Sequence, residues 1–501
     1  MDSLPPLQTA FLFIIPLLLL YGVVSQHRRK LPYPPGPRGL PMIGNMLMMD
    51  QFTHRGLTNL ARKYGGLFHM KLGFSHVVSV SCPEIAKQVL QVQDHIFSNR
   101  PATIAASYLS YDRADMAFAD YGPFWRQMRK LGVTKLVSRK QTESWASVRV
   151  EVDSMVKAVA ANTGKAVNIG ELIFTLTMNI TYRAAFGSKN DGQEFSKLLG
   201  AFNLADFVPG VRWIDPQGIN KRLVKARQSL DMFIDKVIDD HMQSKIEVNG
   251  CDETTTDLVD DLLAFYKEAA NATGNEDLHK PIQLTKDNIK AMIMNVMFGV
   301  TETVASSIEW ALTELMKNPD ELVRAQQELA SVVGLNRPVK EIDLEKLTFL
   351  KCTLKETLRL HPPIPVVHHV TYGDTEVGGY NIPAKTRVMI NIWALGRDPN
   401  SWEDPERFRP SRILDDGAPD FKGNNFEFIP FGSGRRSCPG MNLGFYALEM
   451  TVAHLLHCFN WELPDGMNPS ELDMSDVFGL TAPRSSRLVL IPSSRLLCPI
   501  V

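Results

Sequence analysis

The sequence predicts a mainly α-helical α+β fold, one large domain with small β-sheets behind an N-terminal transmembrane anchor. Three observations carry this expectation. From about Tyr121 onward, apolar residues recur at three- and four-residue spacing, as in Leu223 to Met242 and Leu322 to Val333, which is helix periodicity. Strand-like alternation is confined to short stretches, Leu67 to Ser81, Val377 to Ile392 and Leu488 to Ile491. Although 501 residues would suggest about three domains by length, no Gly/Ser linker, low-complexity tract or repeat period divides the chain.

The overall balance excludes several function classes. Lys+Arg 54 against Asp+Glu 55 gives a net charge of −1, without the basic surplus that a nucleic-acid binder needs to neutralise phosphates. An apolar fraction of 44% with 22% charged residues fits neither a disordered chain nor a polytopic membrane protein. The six cysteines, Cys82, Cys251, Cys352, Cys438, Cys458 and Cys498, lack CxxC spacing, which argues against a zinc site or disulfide framework and for a reducing compartment.

Leu7 to Val24 is almost wholly apolar and is followed at once by His27-Arg28-Arg29-Lys30, so the positive-inside rule places everything downstream in the cytoplasm. A cleaved signal peptide is the competing reading, since the run is short and Pro16 interrupts it. It lacks both a basic n-region and a small-x-small cleavage site. Residues 1–30 therefore read as a signal anchor with its basic flank. Residues 31–41, rich in proline from Pro32 to Pro41, read as a stiff hinge, and 42–501 as the body. Under this topology the sequons at Asn179 and Asn271 stay unmodified.

Within the body, Leu67 to Ser81 reads as a hairpin turning at Gly73-Phe74-Ser75. Ser244 to Pro281 is polar and charged, a solvated loop with one short helix around Leu258 to Ala269. Between Thr285 and Lys317 no proline occurs, and a helix of that length would extend about 50 Å. Its middle, Ala291 to Val304, is apolar on nearly every face, so the helix is either buried or transmembrane. Asn295, Glu302 and Thr303 favour burial, because each is costly in lipid.

Phe431-Gly432-Ser433-Gly434-Arg435-Arg436-Ser437-Cys438-Pro439-Gly440 leads into a helical run from Met441 to Phe459. A thiolate needs compensating charge, and a loop delivering Cys438 just before a helix N-terminus supplies the positive dipole end and free N–H donors. Pro439 suits a first helical turn, which has no use for its missing N–H. Gly434 and Gly440 permit tight turning and close approach to a flat ligand, and the fork of Arg436 suits an anionic substituent on it. For a lone cysteine, an inert buried thiol is the competing reading. Here the run matches Phe-x-x-Gly-x-Arg-x-Cys-x-Gly at all five fixed positions, and so resembles the haem-thiolate signature of the cytochrome P450 superfamily.

Three further motifs support the resemblance. Glu356 and Arg359 stand one helical turn apart and resemble the superfamily's Glu-x-x-Arg pair. Phe408-Arg409-Pro410-Ser411-Arg412 resembles the segment whose arginine completes a buried Glu-Arg-Arg cluster, which implies a structural role for Glu356, Arg359 and Arg412. Trp125-Arg126-Gln127-Met128-Arg129 resembles the helix whose Trp and Arg contact a haem propionate, implying that role for Trp125 and Arg129. Gly299-Val300-Thr301-Glu302-Thr303 is similar to the oxygen-binding Ala/Gly-Gly-x-Asp/Glu-Thr segment.

Residue chemistry agrees with the last of these. A mid-helix glycine costs about 1 kcal/mol relative to alanine, so some gain should offset Gly299. Thr303, four residues on, can bond the Gly299 carbonyl and bend the helix, opening a groove for a diatomic ligand. Glu302 and Thr303 then make an acid–alcohol pair able to relay protons. Val300 departs from the pattern, standing where a second glycine is usual, and a branched side chain there would either narrow the groove or orient the substrate differently. His369-Val370 likewise replaces the Pro-Arg or His-Arg of many members, so an arginine contact to a propionate is missing or replaced.

The resemblance implies haem b with Cys438 as the axial ligand of its iron, and Phe431, Gly434, Arg436 and Gly440 as parts of the cofactor-binding loop. It implies catalytic roles for Glu302 and Thr303, and insertion of one atom of dioxygen into a C–H bond. Electrons would come from NADPH through a separate NADPH–cytochrome P450 reductase, since the chain has no GxGxxG fingerprint or flavin domain. Arg126, Lys130 and Arg435 are candidates to meet an acidic partner surface. The implied location is the endoplasmic reticulum membrane, single-pass, with the body on the cytosolic face.

The stretches Leu31 to Asn45, His69 to His76, Phe97 to Ala102, Tyr111 to Leu131, Asn425 to Met441 and Leu463 to Pro483 resemble plant ferulate 5-hydroxylases, also called coniferaldehyde 5-hydroxylases. That implies hydroxylation of guaiacyl phenylpropanoids (ferulate, coniferaldehyde, coniferyl alcohol) at the ring 5-position, in syringyl lignin and sinapate biosynthesis. By the same correspondence, substrate contacts come from Ala105 to Phe118, Met297 to Thr303, Ile364 to His368 and Phe478 to Thr481. Val300, Val366, Phe478 and Leu480 are the pocket candidates. Two rival readings are a hydroxylase of another plant phenolic, such as a flavonoid B-ring, and a haem-thiolate protein that binds without oxidising. Glu302 and Thr303 weigh against the second.

Overall fold

The computed structural model of the chain describes residues 31–136, 141–185, 215–247, 284–415 and 417–499, with isolated residues between 198 and 208 and between 259 and 266. The anchor expected over 1–30, Cys251, Asn271 and most of the polar stretch 244–281 lie outside the described residues.

Helix α1 (His54–Tyr64) is capped by Thr53, whose hydroxyl accepts the Gly56 N–H at 3.1 Å. It is followed by β1 (Leu67–Leu72) and β2 (Ser75–Val80), the expected hairpin, paired from Leu67 with Val80 to Leu72 with Ser75. Then come α2 (Ile104–Leu109), α3 (Pro123–Leu136), α4 (Gln141–Ala160), the two-residue strand β3 (Val167–Asn168), α5 (Ile169–Ala185) and α6 (Ile219–Glu247).

The long helix α7 (Lys286–Lys317) opens on a capping box. Thr285 Oγ1 accepts the Asn288 N–H at 3.2 Å, and Asn288 Oδ1 accepts the Thr285 N–H at 2.8 Å. Helices α8 (Pro319–Val333) and α9 (Thr348–Leu360) and strands β4 (Val366–Val370), β5 (Thr375–Val377), β6 (Tyr380–Ile382) and β7 (Arg387–Asn391) follow. The chain closes with α10 (Met441–Cys458), β8 (Phe459–Glu462) and β9 (Val489–Ser494).

Helices dominate and the sheets are small: one of order β1-β2-β7-β4, one of order β3-β9-β8, and the pair β5-β6. Strand β7 runs parallel to β2 and antiparallel to β4. Alternate residues of the four-stranded sheet feed separate apolar clusters, with Val78, Val388 and Ile390 in one and Val77 and Met389 in the other.

Among the described residues, α7 is the one helix long and apolar enough to cross a bilayer. Its packing against α5, α9 and α10 makes it the axis of the main core, with Ile308, Ala311 and Leu315 fully enclosed. A second core cluster gathers α2, α6 and the first half of α7. Burial, rather than a bilayer, satisfies the apolar faces of this helix.

Candidate active site

The loop before α10 is held at several points. The Cys438 N–H donates to the Phe431 carbonyl at 2.8 Å, and the Ser433 hydroxyl to the Gly423 carbonyl at 2.6 Å. Gly434 takes φ +66°, and a Cβ there would approach the Leu90 carbonyl oxygen to 2.1 Å. Both conditions demand glycine. The first bond of the helical ladder runs from the Gly444 N–H to the Gly440 carbonyl at 2.8 Å, with Gly440 as cap. Pro439 therefore stands outside the helix, not in its first turn as the sequence suggested.

Burial pushes the Cys438 thiol pKa up, while the Gly440 N–H and the Arg129 charge act to lower it. The side chain is nevertheless accessible at its surface. A residue that is desolvated by its surroundings and yet exposed borders open space rather than packed side chains.

Arg129 acts on this sulfur, and Arg100 and Arg436 cluster with it. Arg129, on α3, donates through Nη2 to the Ser437 carbonyl at 2.6 Å. Arg436 donates through Nε to the Ser98 carbonyl at 2.7 Å, through Nη1 to the Met116 carbonyl at 3.2 Å and through Nη2 to the Ala119 carbonyl. Its guanidinium lies 4.4 Å from the centre of the Trp125 ring. The one N–H of Trp125 goes to the Met116 carbonyl at 2.9 Å, so the indole offers a stacking face here rather than a donor for a propionate. Arg100 donates to the His368 carbonyl.

Desolvation lowers the pKa of all three, to about 10 for Arg100 and about 9 for Arg436. Arg129 repels Arg100, and both repel Arg436, with Asp115 and Asp120 opposing. The result is a cluster of desolvated positive charge, which Arg129 brings up to the sulfur. Sequence reasoning assigned no role to Arg100, which lies in a loop with no periodicity to mark it. The bridge between Asn99 and Val370 sets it against β4, next to the departure at Val370. His369 is a buried, hydrogen-bonded histidine, its Nδ1 on the Phe97 carbonyl at 2.7 Å, and burial holds its pKa well below the ordinary range.

In the middle of α7, the Thr303 hydroxyl donates to the Gly299 carbonyl at 2.7 Å, as the four-residue spacing predicts, with a longer contact of 3.5 Å to the Val300 carbonyl. Glu302 has a different partner: its Oε2 accepts the Thr481 hydroxyl at 2.8 Å. Acid and alcohol thus share a helical turn but are clipped to separate groups.

The four pocket candidates do not form one wall. Val300 packs against the main core. Val366 is 4% exposed, packed with Met389 and Phe207, and Phe478 joins the same cluster with its ring 5.6 Å from that of His54. Leu480 is half-buried. Apolar packing on the sheet face claims Val366, while the exposed His368 shares its side of β4 by strand alternation.

The structural trio is brought together at the end of α9. Arg359 donates to both Glu356 oxygens at 2.8 Å, and Arg412 Nε to Glu356 Oε1 at 3.0 Å. Arg435 pairs with Asp94 at 3.0 Å and shares the Tyr121 ring with Arg126, each 5.2 Å from its centre.

These residues fit a haem. The sulfur supplies a soft donor, and the guanidinium excess suits two propionate carboxylates. Gly299 is exposed within the core helix, and a Cβ built on it or on Gly440 meets no atom within 4 Å. Helices α7 and α10 meet where a Cβ on Gly444 would lie 3.7 Å from Val304.

Comparison with known proteins agrees with this geometry. The profile of the cytochrome P450 family matches residues 34–489. The chain is 65% identical over 503 residues to cytochrome P450 84A1 of Arabidopsis thaliana, covering 98% of this chain and 96% of that protein. To cytochrome P450 84A4 of the same plant it is 58% identical, covering 97% and 98%. A zebrafish cytochrome P450 solved with progesterone superposes with a TM-score of 0.72 at 26% identity, covering 88% of this chain and 99% of that one. Members of the family carry haem b and typically take electrons from NADPH through a reductase. The chain belongs to the cytochrome P450 family and is a plant-type haem-dependent monooxygenase.

Proposed function

We propose that this protein hydroxylates the aromatic ring of guaiacyl phenylpropanoids, ferulate, coniferaldehyde or coniferyl alcohol, at the 5-position. The observation that carries the site is Cys438, desolvated yet exposed, under the charge of Arg129, with Arg100 and Arg436 clustered behind it. Cys438 would supply the thiolate that holds the iron of a haem, and Arg100, Arg129 and Arg436 would hold its propionates. Phe431, Gly434 and Gly440 shape the loop, with Trp125 stacked on Arg436.

A thiolate-bound haem supplies the activation of dioxygen that lets one oxygen atom enter a C–H bond, the other leaving as water. The chain's own residues handle protons and position. Thr303, its proton engaged by the Gly299 carbonyl, is left as an acceptor beside the exposed Gly299. Glu302, steadied by Thr481, holds the carboxyl group that exchanges protons with the site. Met116 to Phe118 and Met297 to Val300 are apolar, as a flat phenolic ligand requires.

What supports the substrate class is the correspondence of six stretches with ferulate 5-hydroxylases. Residues 1–30 anchor the body through the hinge 31–41 to the endoplasmic reticulum membrane, with 42–501 on the cytosolic face beside the NADPH–cytochrome P450 reductase. The test is turnover: full-length protein with reductase and NADPH, offered coniferaldehyde, is expected to give the 5-hydroxy product. Product from flavonoids alone, or from no phenolic, refutes the reading. C438S is expected to lose the red-shifted Soret band that thiolate ligation gives the reduced carbon monoxide complex.

A further inference from the structure

The segment between α2 and α3 is held in an unusual way. Tyr111, Asp112 and Arg113 are three consecutive residues at φ +55°, +59° and +61°, a left-handed stretch that L residues avoid. Such backbone persists only where its surroundings over-determine it. Asp115, fully buried, accepts the Phe118 N–H at 2.7 Å and the Ala119 N–H at 3.3 Å on Oδ1. Its Oδ2 accepts the Asn295 carboxamide at 2.7 Å, and Asn295 Oδ1 in turn accepts the Ala117 N–H at 3.2 Å. Asn295 lies on α7, one turn before Gly299. Asn288, two turns earlier on the same helix, donates to the Ala114 carbonyl at 3.0 Å.

The other side of this short loop serves the cysteine loop. The Met116 carbonyl accepts from both Trp125 and Arg436, and the Ala119 carbonyl from Arg436. Burial raises the Asp115 pKa to about 6 despite its donors, so the charge is kept at a cost.

We propose that Asp115 and Asn295 are positioning residues: their clasp sets the loop at 115–119 against both α7 and Arg436, and so governs affinity for a phenolic ligand bound between this loop, α7 and Cys438. This rests on the substrate reading proposed above. The clasp has an internal control. D115N sets amide donors against one another, and N295D sets two carboxylates against each other. D115N combined with N295D keeps all four hydrogen bonds with the roles exchanged.

In the full-length, haem-loaded protein, each single variant is expected to weaken coniferaldehyde binding, read as the spectral Kd, by roughly tenfold. Amide exchange at Ala117, Phe118 and Ala119 should accelerate, while the reduced carbon monoxide spectrum stays unchanged. The double variant is expected to return both readouts to within about twofold. Wild-type affinity and exchange in the singles, or a double variant as impaired as they are, overturns the proposal. Where a single variant loses its haem, the double variant against wild type decides. If the unaltered protein shows no coniferaldehyde shift, the substrate reading fails on its own, and exchange still decides the clasp.

Discussion

Replacing Arg359 with lysine keeps a charge and removes a fork. The side chain is fully buried, and its five N–H groups make five bonds. Nε and Nη2 donate to Glu356 at 2.8 Å each, Nη2 also to the Arg407 carbonyl at 3.2 Å, and Nη1 to the carbonyls of Gly396 at 2.6 Å and Pro405 at 2.7 Å. An ammonium has three donors, so at least two acceptors lose theirs. A hydrogen bond to a charged group contributes about 1.5–3 kcal/mol, which puts the loss near 3–6 kcal/mol against a typical stability of about 5–15 kcal/mol. Glu356 still accepts from Arg412 at 3.0 Å and from the Arg409 N–H at 2.9 Å, so the damage falls on segment 396–407. The assay is the haem-to-protein ratio of purified R359K and the temperature at which its Soret band is lost. Both are expected to fall well below wild type, with KM unchanged in the loaded fraction. Wild-type loading and midpoint would refute the count of donors, and a changed KM would place Arg359 in substrate handling.

G434A should lower the same midpoint, because a left-handed φ costs an L residue about 1–2 kcal/mol even before its Cβ meets the Leu90 carbonyl; an unchanged midpoint contradicts the expectation. T481V removes the hydroxyl that holds Glu302, a charge-assisted bond of about 1.5–3 kcal/mol, so kcat is expected to drop roughly tenfold or more at constant KM. A rise in KM alone would instead make Thr481 a substrate contact. Glu449 titrates at about 7, raised by burial against the weaker pull of Lys351. A raised carboxyl pKa contributes stability below about pH 4.5 that is lost as pH rises through about 7. E449Q, with no charge to bury, should therefore exceed wild-type stability at pH 8 by about 3 kcal/mol and match it below about pH 4, measured by denaturant midpoint. A pH-independent difference would refute this.

Much of the site could be read from spacing along the chain. The bond from Thr303 to the Gly299 carbonyl, the Glu356–Arg359 fork and the hairpin at Gly73 join residues within a few positions of one another, where helix and turn geometry leaves little choice. The loop of Cys438 was legible for the same reason, since its glycines and arginine crowd into ten residues.

What folding added joins remote segments. Arg100 reaches His368, Thr481 clips Glu302, and Asp115 meets Asn295. No periodicity records which loop will face which helix. Val300 and Val366 show the same limit from the apolar side, because a valine reads alike in a pocket wall and in a packed core. Local order follows from backbone geometry, which the residues carry with them; partnership across the fold depends on which surfaces exclude water together, and that exists only once the chain has closed on itself.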